Sequence, residues 1–375
     1  MTLAPKVAGV TVAREEIEYT AEVREALAAV TGAPAFRFPL APARLSVELA
    51  GVPTAVANGL RRVLGGELKG RCLSFEGGDF DVKASTDPFM RDYSFVRRRV
   101  RMVPLRPQLT EAAAKSLRFS LHAVNGTSET MVLYSGDLAV TAGALPAPIF
   151  NPTIQLAFLQ PGKALKIDNI RVVDGFGHED AAFAVACRPV CVPLDVKEHP
   201  RSETHAKGGK HLNESGYTQS SLVADPRRHR VSAVVPAAPA DPAVVVALAA
   251  DACANIMKRL KYARQVLEKS GPSVSDLDTE IADAYYVVSH VGAMSQGVLG
   301  IRGETHTIGN ILARAVYEHF PQISFVGYTV VDGYMRLVVK HDSSEKKDVK
   351  TLLAAAIKNM YAAFNTIATQ IRSYY

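Results

Sequence analysis

One phrase of this sequence occurs twice. Near the C-terminal end, Glu304-Thr305-His306-Thr307-Ile308-Gly309-Asn310-Ile311-Leu312-Ala313-Arg314-Ala315-Val316 carries apolar residues at 308, 311, 312, 315 and 316. That spacing lines one face of a helix. Near the start, Thr54-Ala55-Val56-Ala57-Asn58-Gly59-Leu60-Arg61-Arg62-Val63-Leu64 repeats it. Setting Asn58 against Asn310 also aligns Leu60 with Leu312, Arg62 with Arg314 and Val56 with Ile308. Two copies of one helix imply two copies of one unit. Thr307 stands where an N-cap hydroxyl would satisfy free N–H groups at the start of the later copy.

The flanking sequence extends the repeat. The later helix follows strand patterns at Tyr285–Ser289 and Val298–Arg302 and precedes Ile323–Val331 and Met335–His341, which Asp332-Gly333 would join as a hairpin. A long helix, Lys347 to Arg372, closes the chain. The earlier helix follows the alternation Leu45, Val47, Leu49, and its unit resumes at the strand Arg230–Val235 and the helix Pro242–Lys269. The two long helices carry matching apolar seams, Val245, Ile256, Leu260 and Leu267 on one and Leu353, Met360, Phe364 and Ile367 on the other. Each stripe would face water unless it met its counterpart. The expected fold is therefore α+β, with two dimerisation units closed into an intramolecular pseudo-dimer.

Between the halves of the first unit the character changes. Short strand patterns at Ser120–Val124, Thr130–Tyr134, Ile154–Leu159 and Ala182–Arg188 are separated by Gly, Pro and Asn. The division expected is an N-terminal extension over 1–35, with a surface helix from Arg14 to Val30, and a first unit over 36–105 and 225–269. A β-rich insertion would occupy 106–224, ending in a mobile polar loop at 197–224. A linker at 270–283 would lead to a second unit over 284–375.

The chain offers little for catalysis or metal. It has no Gly-x-Ser-x-Gly, no phosphate-binding Gly-x-x-x-x-Gly-Lys and no His-Glu-x-x-His. Cys187 and Cys191 have zinc-like spacing, but no second pair exists among the four cysteines, and His178 and His199 are the only nearby candidates. No metal and no bound cofactor is expected. The longest uncharged run, Leu138 to Gly162, contains four prolines that would break a membrane-spanning helix. Phe95 to Leu105 packs Arg97, Arg98, Arg99 and Arg101 into what reads as a basic loop, and the net charge is +6. A basic nucleic-acid-binding accessory protein is the alternative these arginines allow.

The ordered motifs resemble a known family. Ala57-Asn58-Gly59-Leu60-Arg61-Arg62-Val63 is similar to the Ala-Asn-Ser-Leu-Arg-Arg-Val helix of the larger alpha-like assembly subunit of archaeal and eukaryotic RNA polymerases. Arg99-Val100-Arg101-Met102-Val103-Pro104-Leu105 resembles its Arg-Leu-Gly-Leu-Ile-Pro-Leu segment, and Leu159 to Lys163 and Gly177 to Phe183 resemble stretches of its inserted domain. Glu304 to Asn310, with Phe325 to Tyr328 and the final helix, resembles the smaller alpha-like subunit. Both in one chain resembles the fused assembly subunits of large nucleocytoplasmic DNA viruses such as asfarviruses.

The resemblance implies two RNA polymerase alpha-like units and a non-catalytic platform that recruits the largest and second-largest subunits, alongside a small zinc-binding subunit. Magnesium would belong to those large subunits, and DNA or RNA would be met only indirectly. The implied subunit-interface residues are Asn58, Leu60, Arg61, Arg62, Arg99, Glu304, His306, Thr307, Asn310, Leu312 and Arg314. The implied setting is the host cytoplasm and virion for a viral chain, the nucleus for a cellular one.

Overall fold

The computed structural model describes residues 3–14, 42–81, 93–106, 109–143, 149–194, 227–236, 241–269, 283–291, 294–320, 323–342 and 348–374. The polar loop expected at 197–224, nearly all of the linker at 270–283 and all but the first residue of the helix expected at 14–30 lie outside them. The fold is mixed α/β.

Two four-stranded antiparallel sheets have the same order. The first is built from β1 (Lys6–Arg14), β2 (Ala43–Ala50), β9 (Cys187–Pro193) and β10 (Arg228–Val235), arranged β1-β2-β10-β9. The second uses β11 (Ala284–Val291), β12 (Met294–Arg302), β13 (Ile323–Val331) and β14 (Tyr334–Asp342), arranged β11-β12-β14-β13. A helix follows the second strand of each: α1 (Thr54–Arg62) after β2 and α5 (His306–His319) after β12. A long helix closes each: α4 (Pro242–Lys269) after β10 and α6 (Val349–Arg372) after β14.

The packing is reciprocal. α4 runs along α6 and α1 meets α5, while α6 packs on β1 and α4 packs on β11. Side chains fix one of these crossings: the β1 backbone N–H of Val7 donates to Gln370 Oε1 at 2.6 Å, and Tyr374 Oη donates to the Val7 carbonyl at 3.2 Å. All eight seam residues, Val245, Ile256, Leu260, Leu267, Leu353, Met360, Phe364 and Ile367, are buried in one core with residues of both sheets. Fully burying such a side chain stabilises the fold by about 1.5–3 kcal/mol, so the continuous core binds the two sheets into one body.

A second core lies apart from the first. The sheet β3 (Lys69–Ser74), β8 (Ala164–Phe176), β4 (Arg118–Val124) and β6 (Ala139–Ala142), in the order β3-β8-β4-β6, stands beside the pair β5 (Met131–Tyr134) and β7 (Gln155–Leu159). With α2 (Tyr93–Arg101) and α3 (Glu111–Ser116) these strands enclose Phe75, Phe119, Leu121, Leu156 and Ile167.

Four expectations differ from what is observed. Lys6–Arg14 is an edge strand of the first sheet and not part of an extension; Ala8 bulges out of register, so the inward side chains switch from Val7 to Val10 and break the alternation a strand should show. Phe95 to Arg101 is helical because Val96, Val100 and Val103 pack inward. Ala182–Arg188 is not one strand: a 3-10 turn covers Ala181–Phe183, and β9 starts at Cys187 within the first sheet. Packing changes between Leu68 and Leu73 and again between Ile170 and Ala186, not at residues 105 and 225.

Candidate functional site

Two glycines allow close approaches, one where α1 meets α5 and one where α5 meets β13. A Cβ on Gly59 of α1 would lie 2.7 Å from Ile311 Cδ1 of α5, and one on Gly309 would lie 2.4 Å from the Tyr328 ring. Gly59 is the residue that the Asn58–Asn310 alignment sets opposite Ile311. The two similar helices therefore cross at equivalent positions. Leu60 and Leu312 point into the shared core, 1 % and 0 % exposed. They present nothing to a partner, which corrects the expectation that they belong to an intermolecular surface.

Beside this crossing lies a buried polar cluster. Beyond α1 the chain widens into a π-helical turn, Val63–Glu67, closed by the Leu68 N–H donating to the Val63 carbonyl at 3.1 Å. The turn delivers the Glu67 carboxylate inward. Its Oε1 accepts from the Thr307 hydroxyl at 2.6 Å and from the Thr305 hydroxyl at 3.1 Å, while its Oε2 pairs with Arg259 of α4. The same guanidinium reaches both oxygens of Glu304 from Nε at 3.0 Å, pairs again through Nη2, and donates to Thr305 Oγ1 at 3.1 Å. Arg62 donates from Nε to Thr307 Oγ1 at 3.0 Å. One arginine thus bridges two buried carboxylates, Glu67 at the end of the π-helical turn and Glu304 just ahead of α5.

Electrostatics agree with that geometry. Burial opposes the charge on Glu67, but Arg259 and the hydrogen bonds from Thr307, Arg259 and Thr305 overcome it and hold the carboxyl below its ordinary value. Burial likewise works against the Arg259 charge and is outweighed by Glu304 and Glu67, so its pKa is raised. Thr305, not Thr307, is the N-cap of α5: its side chain accepts from the Thr307 N–H at 3.2 Å. Thr307 is 1 % exposed and sits within the first turn as the partner of Glu67. Glu304 and Thr307 are therefore internal, not surface, interface residues.

The other expected residues divide into two places. Asn58, Arg62, His306 and Asn310 line a cleft of about 260 Å³ between α1 and α5, together with Thr307 and Tyr328. His306 meets Tyr328 edge-on, ring centroids 5.8 Å apart, and Arg61 donates from Nε to Asn58 Oδ1 at 2.6 Å. Further along α5, Arg314 pairs with Glu318 at 2.7 Å and lies over the Tyr317 ring, while Arg227 reaches Glu318 at 3.1 Å. Arg99 is elsewhere, on α2, donating to the Gln155 carbonyl at 3.0 Å. The sequence reading did not count Glu67, Arg259, Thr305 or Tyr328 among the site residues. The available signal was a charge beside the α4 seam, Arg259 next to Leu260, and a glutamate after two glycines.

Chemically the cleft offers amides, an imidazole and a guanidinium. The Thr307 hydroxyl is occupied by Glu67 and Arg62, so it is not a free nucleophile. Among the described residues no group of three or more His, Cys, Asp or Glu could hold a metal ion. Cys187 lies within 3.5 Å of the Val234 carbonyl, and His178 is turned to the Gly66 carbonyl at 3.0 Å. No helix among the described residues is long and apolar enough to cross a membrane.

These features define a mixed α/β chain whose polar site is suited to hydrogen-bonded contacts. No family model matches it. It is 33 % identical over 340 residues to the DNA-directed RNA polymerase RPB3-11 homolog of a Kenyan pig isolate of African swine fever virus, covering 89 % of each chain. The homolog of a Malawian tick isolate is also 33 % identical, over 341 residues and 89 % of each chain. The chain belongs to this family of viral RPB3-like subunits of DNA-directed RNA polymerase.

Proposed function

We propose that the chain is a non-catalytic assembly platform of a multisubunit RNA polymerase, combining a larger and a smaller alpha-like unit in one polypeptide. One observation carries this reading: two sheets of the same strand order share a core and touch at equivalent positions of two similar helices. Self-complementary contact of that kind characterises a two-fold dimer. The crossed packing, α6 on β1 and α4 on β11, supports the same reading. Joining the units makes their pairing intramolecular, at an effective concentration on the order of millimolar for a short flexible linker. The body held by the second core is read as an insertion between α1 and β9 of the first unit.

The α1–α5 cleft is the proposed contact for the two large subunits. Asn58 and Asn310 each supply a donor and an acceptor, and Arg61 and Arg62 suit carboxylates and carbonyls of a partner. A small zinc-binding subunit is a further expected partner, magnesium is assigned to the large subunits, and the work takes place in the cytoplasm of an infected cell and in the virion.

Co-expression with both large subunits tests the reading. Asn58→Ala, Arg61→Ala and Asn310→Ala combined should leave the thermal midpoint of the isolated chain nearly unchanged and lower recovered complex by about tenfold, the equivalent of about 1.4 kcal/mol. Unchanged recovery would refute the docking assignment.

A further inference from the structure

The α2 helix presents a second surface that the cleft does not use. Its inward residues Val96, Val100 and Val103 are fully buried, whereas Phe95 and Met102, seven positions apart, are 49 % and 51 % exposed. Between them Arg98 and Arg99 are exposed. Positions 95, 98, 99 and 102 share one helix face, so two arginines lie between two large apolar side chains.

The neighbouring arginines are engaged within the chain. Arg101 pairs with Asp180 at 2.5 Å, donates to Ser74 Oγ at 3.3 Å and lies over the Phe183 ring. Asp180 accepts a backbone hydrogen bond from Ala182, and with Arg101 this holds its carboxyl below the ordinary value. Arg97 stands 3.9 Å from Glu76, which Arg171 also holds at 2.8 Å. Arg99 is anchored through one nitrogen to the Gln155 carbonyl at 3.0 Å but stays exposed, as does Arg98, so two of the four arginines still reach the surface.

That division separates nucleic acid from protein as the occupant. Each neutralised phosphate contributes a salt slope of about 0.9, so two arginines give a site whose affinity falls only about tenfold between 50 and 200 mM salt. A protein making 6–10 such contacts would lose roughly 10³–10⁵ over the same range. Two exposed apolar side chains also add nothing to a phosphate backbone. They fit a polypeptide that buries them while its carboxylates meet the guanidinium forks.

We propose that the outer face of α2 docks an acidic segment of another subunit, one that places apolar side chains on Phe95 and Met102 and carboxylates on Arg98 and Arg99. The proposal rests on the polymerase reading above. The test replaces Phe95 with the photo-cross-linker p-benzoylphenylalanine in the full chain, assembles the polymerase, irradiates it and maps the adducts. The expected adduct lies on a polypeptide stretch of net negative charge containing apolar residues, and Arg98→Glu with Arg99→Glu should cut its yield about tenfold. Adducts on nucleic acid, adducts on a neutral or basic stretch, or no adduct would each overturn the proposal. A parallel cross-linker at Asn310 keeps the two readings distinct. Adducts there without adducts at Phe95 remove only the α2 surface, whereas none at either position removes the polymerase contacts as well.

Discussion

The two four-stranded sheets of matching order differ in how far the chain wanders between their strands. In the second, α5 leads after a short connection into β13, and β13 turns into β14 through Asp332 and Gly333, both at positive φ of 53° and 75°. In the first, the corresponding path from α1 to β9 leaves through the π-helical turn, builds a separate core over residues 73–170, and returns at Cys187. The strand order β1-β2-β10-β9 nonetheless matches β11-β12-β14-β13. A connection can hold a second body without disturbing the strands it joins, since loop closure costs grow only slowly with length. What the first unit gains at that exit is Glu67, the carboxylate that reaches across to the second.

The largest expected effect comes from removing the bridge between the units. Arg259→Ala leaves Glu67 and Glu304 buried without their shared guanidinium, Glu67 keeping only the Thr305 and Thr307 hydroxyls and Arg62 at 3.9 Å, and should cost about 3–5 kcal/mol in denaturant unfolding. Replacing Glu67, Arg259 and Glu304 together by Gln, Met and Gln should recover most of that loss. Failure of the triple replacement to recover it would mean that α4 packing, rather than unpaired charge, was lost.

The crossing itself can be strained next. Gly59→Val forces Ile311 to move and should cost about 1–3 kcal/mol. Ile311→Ala in the same chain should relieve part of it. Absence of coupling in a double-mutant cycle would contradict the close approach.

A pH series sharpens the comparison further. Because the folded pKa of Glu67 is depressed, its contribution is fully present above the unfolded value of about 4.3. It is lost as pH falls from there through the folded value. Glu67→Gln should therefore flatten the acid side of a plot of thermal midpoint against pH and leave the slope between pH 6 and 8 unchanged. The smallest stability effect belongs to the cleft: Asn58→Ala with Asn310→Ala should shift stability by about 0.5 kcal/mol or less, as for other surface changes.

Much of this fold is legible in the sequence where local chemistry decides it. Pro242 and Lys269 bound α4 as observed, and Asp332-Gly333 marks its hairpin because only a left-handed turn fits there. The strands that escape reading share a physical cause. In β1 the bulge at Ala8 shifts the inward face from Val7 to Val10, and in β8 the inward residues pass from Leu165 and Ile167 to Ile170 around Asn169, whose φ is 49°. Each bulge breaks the two-residue period on which recognition depends. The cleft residues Asn58 and Asn310 stand out because the phrase repeats. Glu67 and Arg259 do not, because the local signs, a charge beside a seam and a glutamate after two glycines, do not say that residues 192 positions apart meet.

The most direct test of the central claim is native mass spectrometry of the two large subunits expressed with and without this chain. The platform reading predicts a complex with one copy of each large subunit and one copy of the chain, and no stable pairing of the large subunits in its absence. A large-subunit pair that forms to the same extent without the chain, or a complex that takes up two copies of it, would contradict the account.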